Sequence, residues 1–353
     1  MPAGPSDDVG NGRAWRGPRA DATPARRVPP VRVLAPADED RYRRAEQRWW
    51  DVMGARPAEG WVELPGLGAV VRVLEVGEGP PVLFLHGACS AATVWAPLAA
   101  RLAGRHRCLL VDRPGCGLSP APPTGLRFGA GGGRRRADAF DGFAALADEL
   151  AVAVLDGIGL ERAPMVATSL GGYVGLRAAA AHPDRVERLV VLGWPVGAPG
   201  EPVPLAMRLA SVGGLGRLGA RMPVGEWAVR SMLTRLGIGA DALGPAGVAW
   251  FQALLDCTPT VRNELAAVPP VLGLRGQRPE ALLSDGVLRR IEAPTLFVWG
   301  TDDPFGGTAA AEAFAPRVPG ARLSLVGTGH APWIDARQLV ALTTAAFLAG
   351  HDD

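Results

Sequence analysis

The sequence predicts an α/β fold in which a mostly parallel sheet is covered by helices on both faces. Three observations carry that expectation. From Trp61 onward, short apolar runs alternate with helical segments. The middle runs are continuously apolar, as strands buried on both faces are. A long stretch with helical but little strand character, between Gly193 and Thr295, then interrupts the alternation.

Taken in order, residues 1–36 are rich in Pro, Gly, Ala and Arg without a hydrophobic period, and are expected to be a disordered arm. Residues 37–60 are expected to hold one amphipathic helix and a linker, with Tyr42, Trp49 and Trp50 docking it on the main domain. Strands are expected at Val62–Leu64, Val70–Leu74, Val82–Leu85, Cys108–Val111, Met165–Thr168, Leu189–Leu192, Thr295–Trp299 and Arg322–Val326. Helices are expected at 91–103, 140–157, 170–181, 308–316 and 336–349, and Pro120 to Arg136 as a surface loop. The core domain then comprises 61–195 and 290–350. The insertion, 196–289, is most simply a helical cap, with helices at Pro204–Ser211, Glu226–Leu236 and Ala246–Leu255.

Composition removes several function classes. The 37 basic and 35 acidic residues nearly cancel, so no global field draws the protein to nucleic acid or an anionic membrane. Every basic residue is arginine, which excludes a Schiff-base lysine and a G-K-[ST] phosphate loop. Cys89, Cys108, Cys116 and Cys257 are scattered without C-x-x-C pairs, against a zinc site or a disulfide framework. No secretory signal or membrane-spanning run is visible, so a soluble cytoplasmic protein acting on a small molecule is expected, with no metal, cofactor or nucleic-acid partner. Its oligomeric state is open.

Four segments carry chemistry. Met165-Val166-Ala167-Thr168-Ser169-Leu170-Gly171-Gly172 places a serine between an apolar run and a helix. A nucleophilic hydroxyl needs such a sharp strand-to-helix turn, with small neighbours such as Gly171 and a helix N-terminus beneath it. Ala167 stands where the G-x-S-x-G pattern has its first glycine, implying a tighter elbow. Val82-Leu83-Phe84-Leu85-His86-Gly87-Ala88-Cys89 is a strand ending in His-Gly. It would supply one oxyanion-hole amide, Ala88, the other being Leu170 after the nucleophile. His86 is expected to shape this loop by hydrogen bonds rather than to act as a base. Val326-Gly327-Thr328-Gly329-His330-Ala331-Pro332-Trp333 puts a histidine between the last strand and the last helix, where it can take and return the serine proton. The acid should precede it, and Leu296-Phe297-Val298-Trp299-Gly300-Thr301-Asp302-Asp303-Pro304 ends a strand in two carboxylates. Asp303 is the choice, with Asp302 as the alternative.

Together these segments resemble the α/β-hydrolase superfamily, in its serine-nucleophile branch with a helical cap. Asp112-Arg113-Pro114-Gly115-Cys116-Gly117-Leu118-Ser119 looks like that family's D-x-P-G-x-G-x-S loop, Trp299 to Asp303 its W-G-x-x-D acid loop, and Gly329-His330-Ala331-Pro332 its G-H-x-P base loop. The resemblance covers about residues 61 to 350, implies an eight-stranded core sheet and favours Asp303. Similar dehalogenases and epoxide hydrolases carry aspartate at the nucleophile position, so Ser169 points instead to hydrolysis of a carboxylic ester or related acyl bond. Carbon–carbon bond hydrolysis, acyl transfer and cofactor-free haloperoxidase chemistry share the same triad, and a non-catalytic binding protein could retain the fold. The cap's Met207, Met222, Trp227, Met232 and Trp250 suggest a largely apolar substrate.

Overall fold

The computed structural model describes residues 26–121, 136–200, 224–267, 271–273 and 276–351. The chain begins with helix α1 (Pro36–Val52), then strands β1 (Ala58–Leu64), β2 (Ala69–Val76) and β3 (Pro81–Leu85). Next come α2 (Ala96–Leu102), β4 (Arg107–Val111), α3 (Arg136–Ile158), β5 (Ala163–Thr168), α4 (Ser169–Ala181) and β6 (Val186–Leu192). The insertion holds α5 (Glu226–Arg235), α6 (Ala240–Cys257), α7 (Thr260–Ala267) and a small antiparallel pair, β7 (Leu272–Gly273) and β8 (Gly276–Gln277). A short α8 (Asp285–Leu288) leads back to β9 (Thr295–Gly300), α9 (Thr308–Phe314), β10 (Arg322–Val326), α10 (Pro332–Asp335) and α11 (Arg337–Leu348).

The eight strands expected from the sequence form one sheet in the order β1-β2-β4-β3-β5-β6-β9-β10. β2 runs antiparallel to both its neighbours, and the pairs from β4 to β10 are parallel. The side-chain alternation of a strand sorts their apolar residues between two cores. Leu83, Leu85, Met165 and Ala167 face α3 and α4 on one side, among Phe143, Leu150, Val154, Tyr173 and Leu176. Val82, Phe84 and Val166 face the other side, with Trp49, Trp95, Trp250 and Trp333. Because both faces are covered, the middle strands read as unbroken apolar runs. At the edge, β10 keeps only Val326 fully buried.

α1 presents Tyr42, Ala45, Glu46, Trp49 and Trp50 inward, a helical spacing with a carboxylate in its middle. It packs against β2, the segment before α2, and α6 of the insertion. Of the segment expected to be disordered through residue 36, the part from Arg26 onward is described. Arg26 to Val28 pair antiparallel with β1: Val28 N donates to Trp61 O at 3.1 Å, and Glu63 N to Arg26 O at 2.9 Å. β1 is an edge strand, and its unpaired backbone groups can take up a neighbouring segment without any hydrophobic pattern. Residues 1–25 lie outside the described residues, as do the expected Pro204–Ser211 helix and most of the Pro120–Arg136 loop. The helix expected at 246–255 is the second part of α6, which breaks at Gly244, where φ is 69° ahead of Pro245. Among the described residues no helix is long and apolar enough to cross a membrane.

Candidate active site

Ser169, Asp303 and His330 follow the C-terminal ends of β5, β9 and β10, the edge at which open α/β sheets gather their sites. Ser169 is the first residue of α4 and has φ of 52°. Left-handed backbone of this kind costs a non-glycine residue about 1–3 kcal/mol and persists only where the surroundings impose it. Among the described residues, Cys89 (φ 52°) is the other non-glycine in that region, and it sits in the His86–Cys89 loop.

The surroundings that impose the turn are identifiable. A methyl on Gly171 would lie 2.1 Å from Leu85 O and 2.7 Å from His86 O, so only glycine lets α4 start against the end of β3. A methyl on Gly87 would stand 3.0 Å from Ser169 Cβ, which places the His-Gly loop directly beside the serine. The Ala167 methyl is accommodated in the following helix: a methyl at Gly175 would be 3.4 Å from it. Val196 N donates to Ser169 O at 3.1 Å and fastens the elbow from the β6 side.

His330 and Asp303 are in contact, with Nδ1 2.8 Å from Asp303 Oδ2. The carboxylate is buried and takes two further backbone donors: Trp194 N to Oδ2 at 2.9 Å and Phe305 N to Oδ1 at 3.0 Å. Asp302 is exposed, and its amide donates to Thr328 O. The imidazole lies edge-on to Phe305, centroids 4.7 Å apart, and Phe305 stacks on Trp194 at 5.5 Å. The base loop folds back over β9 toward β6, since a methyl on Gly193 (φ 69°) would lie 2.3 Å from His330 O. β6 neighbours β5, so this sets the histidine loop against the strand next to the one that ends in Ser169. Trp194 N–H and Gly193 escape a motif search, because the first acts through its backbone and the second through the side chain it lacks.

His86 is fully buried and held at both nitrogens. Nε2 accepts from Arg113 N at 3.0 Å, so the proton is on Nδ1, which donates to Gly87 O at 2.8 Å. Burial, with the Arg113 charge adding, keeps its pKa well below the usual histidine value, so it stays neutral and shapes the loop. Leu170 is buried at the start of α4, where helix amides lack intrahelical partners, and Ala88 is exposed in the turn after Gly87. Burial pushes the nearby Cys89 thiol up to about 12, with Glu264 adding and Arg113 opposing.

Residues 80–208 match the family model for the alpha/beta hydrolase fold. A pimeloyl-[acyl-carrier protein] methyl ester esterase of Xanthomonas campestris pv. campestris is 29% identical over 286 residues, covering 78% of this chain and 97% of that protein. The polyketide synthase ThaQ of Burkholderia thailandensis is 32% identical over 302 residues, covering 84% of this chain but 13% of that much longer protein. In structure, the chain is similar to the carboxylesterase CesB of Bacillus subtilis, with a TM-score of 0.67 at 21% identity over 89% of this chain and 99% of that one. The chain has the α/β-hydrolase fold. It is a hydrolase.

Proposed function

We propose that the protein cleaves a carboxylic ester or related acyl bond of a small, largely apolar substrate through an acyl-enzyme on Ser169. The observation that carries this reading is the buried His330–Asp303 contact at 2.8 Å, formed at the sheet edge where Ser169 is held in a strained turn. Asp303 accepts the Nδ1 proton, which leaves Nε2 of His330 free to act as base. Ser169 Oγ attacks the acyl carbon as its proton passes to His330, and the amides of Ala88 and Leu170 hold the oxygen that becomes negative. The intermediate collapses, and the alcohol leaves with the proton from His330. Water then gives its proton to His330 and attacks the acyl-enzyme, releasing the acid and restoring Ser169. The helices of 196–289 serve as a cap over this edge and supply apolar walls.

A second reading, within the same chemistry, takes the acyl group from a carrier protein. It is favoured by the match to part of a polyketide synthase and to an esterase named for a carrier-bound pimeloyl ester. A fluorophosphonate probe and a panel of p-nitrophenyl esters test the common core. A covalent adduct on Ser169 is expected, with turnover falling by several orders of magnitude in Ser169→Ala and His330→Ala. Folded protein that takes no adduct on Ser169 would instead be a binding protein. Faster turnover of a vinylogous diketone than of any ester would move the assignment to carbon–carbon hydrolysis. Preference for an acyl-carrier thioester over its free ester would select the second reading.

A further inference from the structure

One face of α7, in the insertion, is fastened to the loop after β4. Thr260 Oγ1 accepts from Gly117 N at 2.9 Å, and Asn263 Nδ2 donates to Gly115 O at 2.8 Å. Glu264 Oε1 accepts from Arg113 Nη2 and from the Cys116 thiol, both at 3.1 Å. Arg113 has no exposed surface, and its remaining contacts lead into the site. Nε donates to His86 O at 3.1 Å, and Nη2 to Gly87 O at 2.9 Å.

The Gly87 carbonyl and the Ala88 N–H belong to one peptide unit. In a planar trans peptide these two groups point in opposite directions, so fixing the carbonyl fixes where the N–H aims. Here the carbonyl accepts from both Arg113 Nη2 and His86 Nδ1, which leaves the unit one orientation. A guanidinium on the carbonyl also strengthens the peptide dipole whose positive end is that N–H. A buried guanidinium needs a carboxylate, and Glu264 supplies it from across the insertion.

We propose that Glu264, acting through Arg113, is a positioning residue that orients the Ala88 amide toward the oxyanion. This rests on the ester-hydrolase reading above, in which Ala88 N–H is one of the two oxyanion donors. The insertion thereby does more than enclose substrate: it sets the donor geometry from its α7 face.

The test compares Glu264→Ala and Glu264→Gln with Asn263→Ala, which removes a neighbouring tie from the same helix to the same loop without touching the Gly87 peptide. Each is assayed for kcat and KM on a p-nitrophenyl ester, and for affinity toward an aryl trifluoromethyl ketone, whose serine adduct carries an oxyanion. Losing alignment of one donor is expected to lower kcat in Glu264→Ala by about 10- to 100-fold, below the roughly hundred- to thousandfold loss of a whole donor. KM should stay within about threefold, and ketone affinity should fall in parallel with kcat. Glu264→Gln, which keeps an acceptor for Arg113 and guards against a misfolded alanine variant, should lie between. Asn263→Ala should match the wild type. Equal losses in Asn263→Ala and Glu264→Ala, or a Glu264→Ala loss confined to KM with ketone affinity unchanged, would overturn the assignment. Fluorophosphonate labelling of the wild type separates the two failures. No adduct on Ser169 removes the hydrolase reading and this inference together, whereas a labelled, active enzyme unmoved by Glu264→Ala and Glu264→Gln removes the inference alone.

Discussion

At Asp303 three N–H groups converge on one carboxylate: His330 Nδ1 and Trp194 N on Oδ2, Phe305 N on Oδ1. An asparagine amide cannot serve there, because whichever way it turns its NH2 faces a donor. Asp303→Asn is therefore expected to do two things at once. It removes the acceptor that fixes the imidazole tautomer, and mutation of the corresponding aspartate in a serine protease lowers kcat by about 10⁴. It also leaves a buried donor unpaired, costing about 1–3 kcal/mol. Asp302→Asn, on an exposed side chain, should leave both kcat and the denaturation midpoint unchanged. Steady-state assays and urea unfolding of the pair check this, and equal effects in the two variants would return the acid to either residue. Ser169, His330 and Asp303 were legible because each follows an apolar strand in a short polar motif. Arg113 and Glu264 were not. An arginine inside a glycine-rich loop and a glutamate on a cap helix both look like solvated charges until the fold buries them. The signal available for Arg113 was its position one residue past a buried strand and its aspartate.

Among the elements, the middle strands were legible for a physical reason: covering both faces of the sheet removes the polar alternation. α1 was legible as an amphipathic helix but not as a support. Trp49 lies so close to α6 that a methyl on Gly247 would come within 3.0 Å of its ring, and the Arg337 guanidinium sits 5.7 Å over the same ring from α11. Arg41 adds a pair to Asp256 at 2.8 Å. With α7 tied to the loop after β4, the insertion is thus held at both α6 and α7. Trp49→Ala is expected to cost about 3–5 kcal/mol, as large-to-small changes at buried aromatics do. Because the cavity opens against α6, backbone amides across 240–257 should also exchange faster with solvent than those of α4. A destabilised variant with unchanged relative protection of α6 would mean that α1 stabilises the core alone.

Across the whole molecule, one charge network, buried at Arg72, Glu46 and Asp112 and half-buried at Glu59 and Arg43, joins parts far apart in sequence. Arg72 on β2 binds Glu46 of α1 at 2.6 Å, Glu59 of β1 at 2.8 Å and Asp112 after β4 at 3.3 Å. Thr93 and Trp50 extend the chain of hydrogen bonds from Glu46, and Arg43 closes it on Glu59. Asp112 in turn accepts from Ala92 N and Leu118 N, so the network ends beside the two loops that shape the site. Nothing in spacing alone shows that these particular charges are buried, since each has an equally good reading as a surface residue. Their burial has a measurable signature in acid. Burial alone would raise the Glu59 carboxyl, but the Arg72 and Arg43 guanidiniums outweigh it and bring it from 4.5 to about 2. A carboxyl depressed on folding stabilises the native state at pH values above its unfolded pKa. That stabilisation, on the order of a few kcal/mol, fades as pH falls through the window from 4.5 to about 2. Asp112 runs the other way: burial raises it and Arg72 offsets only part of the rise, so it adds nothing to the acid loss. In urea unfolding at pH 6, Glu59→Gln should accordingly be less stable than the wild type, and the gap should narrow steadily between pH 4.5 and 2. A gap that stays constant down to pH 2 would mean that Glu59 contributes through shape rather than through its charge.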